Sequence, residues 1–136
     1  MKTLYSTKSS VVGGRMGTAK VSDSDLVIKM TPPGTGDGNN PEQLFAMGYG
    51  ACFDSALSVV KRMQGVDFDS TTEVEVDLLQ SENHQYSLAA KIHVIASNTN
   101  LSADEIQKAV EKAHEVCPYS KATRGNIEVE VTSEVN

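Results

Sequence analysis

The chain has 136 residues, 39% of them hydrophobic, with 12 basic and 18 acidic side chains for a net charge of −6. This size and apolar share fit one domain with a packed core, spanning residues 1–136. So acidic a balance excludes the electrostatic footprint of a nucleic-acid or anionic-membrane binder, and a total of two cysteines excludes a disulfide-dense secreted scaffold.

The first ten residues, MKTLYSTKSS, lack the apolar core of a signal peptide. The longest uncharged apolar stretch, Leu44 to Phe53, is too short to span a bilayer. A cytoplasmic protein is expected, with no membrane partner and with thiols reduced by default.

Residues 1–30 read as strands. Thr3, Tyr5, Thr7, Val11 and Val12 are β-formers, interrupted at Gly13-Gly14 and Gly17, and Leu26-Val27-Ile28 is a short apolar run. Residues 31–40, TPPGTGDGNN, are loop. A helix starts at Asn40, a good N-cap, with Pro41 at the first helical position and Gln43 placed to complete a capping box. It runs to about Gln64 and stops at Gly65. From Leu44 to Phe53 this helix is apolar or small on every face, which predicts cover by a second element or a second subunit.

Residues 70–80 and 86–96 alternate as half-buried strands, with Val74, Val76 and Leu78 facing inward on the first, and Ser81–Gln85 joins them as a hairpin. A second helix opens on the capping box Ser102/Glu105, with a stripe of Ile106, Ala109, Val110, Ala113 and Val116/Cys117, and Pro118 ends it. Ile127, Val129 and Val131 predict a last strand.

Taken residue by residue, the chemistry stays open. Cys52, deep in an apolar helix, suits a core thiol. As a nucleophile it would need a cation from elsewhere, because a mid-helix site lacks the N-terminal field that lowers thiol pKa. Cys117 sits at a helix C-terminus, where a thiolate is disfavoured, so it suits a resolving thiol better than an attacking one. His114, three residues before Cys117, has acceptable metal spacing, but there is no C-x-x-C and no H-E-x-x-H; its position at the helix end is explained by the dipole. No metal and no cofactor are expected. Arg15, among glycines in Val-Val-Gly-Gly-Arg-Met-Gly, suits a tight turn that presents a guanidinium. Glu42, in the first helical turn, suits the macrodipole.

Two longer segments narrow these readings. Asn40-Pro41-Glu42-Gln43-Leu44-Phe45-Ala46-Met47-Gly48-Tyr49-Gly50-Ala51-Cys52-Phe53 and Ala113-His114-Glu115-Val116-Cys117-Pro118-Tyr119-Ser120-Lys121-Ala122-Thr123-Arg124-Gly125-Asn126 resemble the signatures of the Ohr/OsmC family, closer to its Ohr branch, the organic hydroperoxide resistance proteins. The Gly13–Gly17 turn matches the family's N-terminal arginine turn, and the element order agrees over essentially the whole chain. Met47 and Gly50 stand where alanine-like residues are expected, and the 31–40 loop is short.

The resemblance implies an α+β fold in which antiparallel sheets pack around a buried central helix in an intertwined homodimer. It also implies a thiol peroxidase in which both subunits contribute to each site. Cys52 would be the peroxidatic cysteine and Cys117 the resolving one, Arg15 would hold the thiolate, and Glu42 would position Arg15. A lipoylated protein or dihydrolipoamide would be the reductant. Phe45, Met47, Tyr49 and Phe53, near Cys52 along the helix, suggest a pocket for alkyl or lipid hydroperoxides. The alternatives are an OsmC-branch peroxidase of broader range, a non-catalytic dimeric binding protein with core cysteines, and a metal-dependent enzyme.

Overall fold

The computed structural model describes residues 1–136, which form two compact units, Met1–Leu44 and Phe45–Asn136. The first is an antiparallel three-stranded sheet of β1 (Ser9–Val12), β2 (Thr18–Val21) and β3 (Val27–Lys29), in that spatial order. A single turn of 3₁₀ helix, Gly14–Met16, joins β1 to β2, so that Val12 pairs with Thr18 across it. Gly13 and Gly14 lie at positive φ, 81° and 57°. At Gly17 a Cβ would sit 1.7 Å from the Val12 carbonyl oxygen, so the return strand passes too close for any side chain.

Residues 1–8 were expected in strands but form none. The β-formers Tyr5 and Thr7 spend their hydroxyls on the Asp23 carboxylate instead. These contacts tie the segment to the turn after β2, and all eight residues are exposed.

Helix α1 (Pro41–Gln64) begins in the first unit and runs on through the second. Its start is the expected capping box: the Gln43 N–H donates to Asn40 Oδ1 and the Asn40 N–H donates to Gln43 Oε1, each at 2.9 Å. Its end is Gly65 at φ 65°. Within one chain the helix is covered on one side only. Tyr49, Phe53, Ala56, Leu57 and Val60, spaced as one helical face, are buried, while Met47 is 58% exposed and Ala51 is exposed. The expectation of a helix buried on most sides is therefore met over half its girth.

The second unit builds its core on a sheet of β4 (Asp69–Gln80), β5 (Tyr86–Ser97) and β6 (Val129–Val135), with α2 (Ala103–Val116) and α3 (Pro118–Thr123) between β5 and β6 in sequence. β4 and β5 pair antiparallel over their full lengths. Ala90, Ile92, Val94 and Ala96 of β5 are buried beside Ile106, Ala109, Val110 and Ala113 of α2. A fully buried Leu57 or Ile92 contributes about 1.5–3 kcal/mol by burial. No helix is long and apolar enough to cross a membrane.

Three details differ from expectation. β6 runs parallel to β5, Ala90 opposite Val129 through Ala96 opposite Val135, so this sheet is mixed rather than antiparallel. The α2–α3 connection supplies the crossover that a parallel partner requires. Leu78, expected on the inner face of β4, is 45% exposed, because the alternation lapses at Asp77 and the end of the hairpin is open on both faces. Pro118 ends α2 as expected, but it also starts α3, where a missing N–H and a fixed φ suit the first helical position.

Candidate active site

The Sγ atoms of Cys117 and Cys52 are 3.6 Å apart, both thiols are free, and the Cys117 S–H donates toward Cys52. Cys52 lies on α1 and is half-buried. Cys117 is fully buried between α2 and α3, capping the end of one and the start of the other. Its extended backbone, φ −62° and ψ 125°, is the conformation that a following proline favours. The sulfurs are in hydrogen-bonding contact and would close by about 1.5 Å to form a disulfide.

Burial pushes the Cys52 thiol above its ordinary pKa; a backbone contact from Tyr119 pulls the other way, and Cys117 adds to the rise. No basic residue of Phe45–Asn136 is among the groups acting on it.

In the first unit, Arg15 on the 3₁₀ turn grips Glu42 at the start of α1 through two parallel hydrogen bonds, Nη1 to Oε2 at 2.9 Å and Nη2 to Oε1 at 2.6 Å. The Glu42 side chain is 14% exposed and that of Arg15 48%. Their hydrogen bonds hold the Glu42 carboxyl below, and the Arg15 guanidinium above, its ordinary pKa. The fork therefore stays charged at neutral pH, with part of the guanidinium open to solvent.

The four expected pocket residues do not share one surface. Phe45 and Tyr49 form an aromatic cluster with Tyr119 of α3, with ring centroids 5.7–6.3 Å apart. Tyr49 and Phe53 are fully buried in the core. Met47 lies on another side of α1, in a cleft of ≈ 300 Å³ shared with Ala46, Gly50, Ala51, Thr72 and Val74. Gly48 makes room for Tyr119: a Cβ there would stand 3.0 Å from the tyrosine hydroxyl oxygen.

A polar cluster beside the cysteines was not anticipated. The buried Tyr49 hydroxyl donates to Ser120 Oγ at 3.0 Å and lies 3.1 Å from Thr123 Oγ1, and Ser120 Oγ lies 2.8 Å from His114 Nδ1. His114 is held below its ordinary pKa by burial and by the nearby Arg124 charge, so it is neutral at pH 7 and brings no charge to the helix dipole. The available clue was the i, i+3 and i, i+6 spacing of His114, Cys117 and Ser120 around Pro118.

Comparison with known proteins gives the family. The family model described as "OsmC-like protein" matches residues 34–132. The chain belongs to the OsmC/Ohr family. It is 44% identical over 133 residues to the organic hydroperoxide resistance protein OhrA of Bacillus subtilis, covering 93% of each chain. The crystal structure of OhrB from the same organism superposes with a TM-score of 0.89 at 36% identity, covering 97% of this chain and 100% of that one. An organic hydroperoxide resistance protein from Legionella pneumophila superposes with a TM-score of 0.90 at 39% identity, covering 98% and 100%. The α+β architecture is therefore the OsmC/Ohr fold, and the resemblance read from the two cysteine segments is that of the family as a whole.

Proposed function

We propose that the protein detoxifies organic hydroperoxides as a thiol peroxidase, the reading best supported by two free thiols 3.6 Å apart, one half-exposed and one buried. Its named relatives are organic hydroperoxide resistance proteins. The Cys52 thiolate attacks the terminal oxygen of R–O–O–H. The O–O bond breaks, the sulfur takes the hydroxyl as a sulfenic acid, and the alkoxide leaves and takes up a proton as the alcohol. Cys117 then attacks the Cys52 sulfur. The S–S bond forms, the S–OH bond breaks, and the Cys117 proton leaves with the hydroxide as water. A dithiol returns both cysteines to thiols, and we assign that role to a lipoylated protein or dihydrolipoamide.

An unperturbed thiol is about 3% ionised at pH 7, so complete ionisation gains at most about thirtyfold in rate, worth about 2 kcal/mol. Cys52 starts above its ordinary pKa. Ionising it from there gains more than that, and we assign Arg15 both to hold the thiolate and to stabilise charge on the departing alkoxide. Glu42 and Cys52 are ten residues apart on α1, a rise of about 15 Å. We infer that an Arg15 held by Glu42 serves the Cys52 of a partner subunit, in a homodimer whose two sites each draw on both chains. Within that dimer the chain acts as one domain. Its apolar helix surface, Phe45 and Met47 included, favours alkyl over inorganic peroxide.

The test is steady-state consumption of cumene hydroperoxide and of hydrogen peroxide with dihydrolipoamide, thioredoxin or glutathione as reductant. Turnover is expected with dihydrolipoamide, faster on cumene hydroperoxide, and abolished in Cys52→Ser. Activity that survives Cys52→Ser, or none with any reductant, would contradict the proposal.

A further inference from the structure

Beyond the two cysteines and the arginine fork, the second unit contains a chain of buried hydroxyls with one possible end. Ser120 is fully buried and carries one hydroxyl proton. It accepts from the Tyr49 hydroxyl and lies 2.8 Å from His114 Nδ1, to which it can offer its own proton. In the neutral ring we assign Nδ1 as that acceptor and the ring proton to Nε2. Thr123 Oγ1 donates to the Ser120 carbonyl oxygen and abuts the Tyr49 hydroxyl, closing the cluster. No buried side-chain polar atom is left without a partner. Arg124 Nη2 donates to the His114 carbonyl oxygen at 2.7 Å, binding the end of α2 to the end of α3.

The placement of these groups gives the chain a consequence for the thiols. Tyr49 stands three residues before Cys52 on α1, His114 three residues before Cys117 on α2, and Ser120 three residues after Cys117 on α3. α1 is pinned to the α2–Cys117–α3 corner by two hydrogen bonds, and each anchor lies within three residues of a cysteine. The sulfurs must still close by about 1.5 Å for a disulfide. A reaction so near its bonding distance is sensitive to small displacements of its frame.

We propose that His114 is a positioning residue for disulfide closure, acting as terminal acceptor of the Tyr49–Ser120–His114 chain to hold Cys117 against Cys52. It touches neither peroxide nor sulfur. The step it serves is attack of the Cys117 sulfur on the Cys52 sulfenic acid, with formation of S–S, loss of S–OH and release of water. This rests on the thiol-peroxidase reading above. Asn at 114 retains a short side chain that can accept from Ser120, whereas Phe keeps the ring volume without an acceptor.

The experiment uses the reduced full-length protein, one equivalent of cumene hydroperoxide, and quenching at intervals with dimedone to trap sulfenic acid. Intact mass then gives the proportions of thiol, trapped sulfenic acid and disulfide. In the unaltered protein disulfide is expected without trapped sulfenic acid. In His114→Phe, hydroperoxide is consumed in the first turnover as before, sulfenic acid is trapped at Cys52, and disulfide forms about tenfold to a hundredfold more slowly. His114→Asn recovers most of the closure rate. Ser120→Ala, a smaller change that removes the middle link, gives the same accumulation if His114→Phe does not fold. Closure at the original rate in both His114→Phe and Ser120→Ala would overturn the assignment, as would slow closure in His114→Phe that Asn fails to repair. If the unaltered protein leaves cumene hydroperoxide unconsumed, the functional reading itself fails, which is a distinct result.

Discussion

Arg15 holds Glu42 with both of its terminal nitrogens, at 2.6 and 2.9 Å, so the guanidinium plane is fixed by the carboxylate. A planar fork offers donors in a set direction, which a lysine ammonium cannot reproduce. Arg15→Lys should therefore lose more peroxidase rate than its effect on the Cys52 pKa explains. We expect a fall of about tenfold or more in kcat/KM beyond the change in thiolate fraction. The check is kcat/KM for cumene hydroperoxide beside a thiol titration of Cys52 in both proteins. A rate loss equal to the loss of ionised thiol would refute the alkoxide role.

The separation of Glu42 and Cys52 along α1 leads to a mixing experiment. Arg15→Ala and Cys52→Ser homodimers should each be inactive. When the two are unfolded and refolded together in equal amounts, half the dimers are mixed, and each mixed dimer has one complete site. Roughly a quarter of the original activity should return if arginine and cysteine come from different chains. No recovery would place both groups in the same chain.

The turn that carries Arg15 depends on a close backbone approach. A Cβ at position 17 would stand 1.7 Å from the Val12 carbonyl oxygen, which is backbone and cannot swing aside. Gly17→Ala should cost about 3 kcal/mol, the upper end of ordinary single substitutions, and displace Arg15. Urea unfolding measures the first effect and peroxidase rate the second. A variant of unchanged stability would show that the turn has an alternative path.

Acidification should weaken the fold through His114. Burial, and then the Arg124 charge, hold its folded pKa below the ordinary value, so the unfolded chain binds this proton more readily. Stability then rises with pH across this range: the contribution is complete above the ordinary histidine pKa of about 6.5 and is lost as pH falls below it. Glu42 is also depressed, but its contribution is lost only at lower pH, as pH falls through the carboxylate range. Urea midpoints from pH 7.5 to 5.5 should decline, and more shallowly in His114→Asn. Identical slopes in the two proteins would contradict this.

Local chemistry explains which elements were legible. Both ends of α1 were, because Asn40, Pro41, Gln43 and Gly65 act through contacts within a few residues. Strand direction was not: the alternation of Val129 and Val131 is the same whether β6 runs parallel or antiparallel. α3 was hidden because Pro118 serves equally as a stop for one helix and a start for the next. At the candidate site, the two cysteines stood out by their motifs, and their chemistry required contact. The Tyr49–Ser120–His114 chain did not stand out, because it joins residues 71 positions apart through a packing that no short pattern encodes. Tyr49 and Phe53 were placed in a pocket because they neighbour Cys52 in sequence, whereas helical periodicity turns them into the core.

The most direct test of the central claim is intact mass after one equivalent of organic hydroperoxide is added to the fully reduced protein. The account predicts loss of two hydrogens in the unaltered chain, one disulfide joining Cys52 and Cys117, and gain of one oxygen in Cys117→Ser. An unchanged mass, or a gain of oxygen in Cys52→Ser at the same rate, would contradict it.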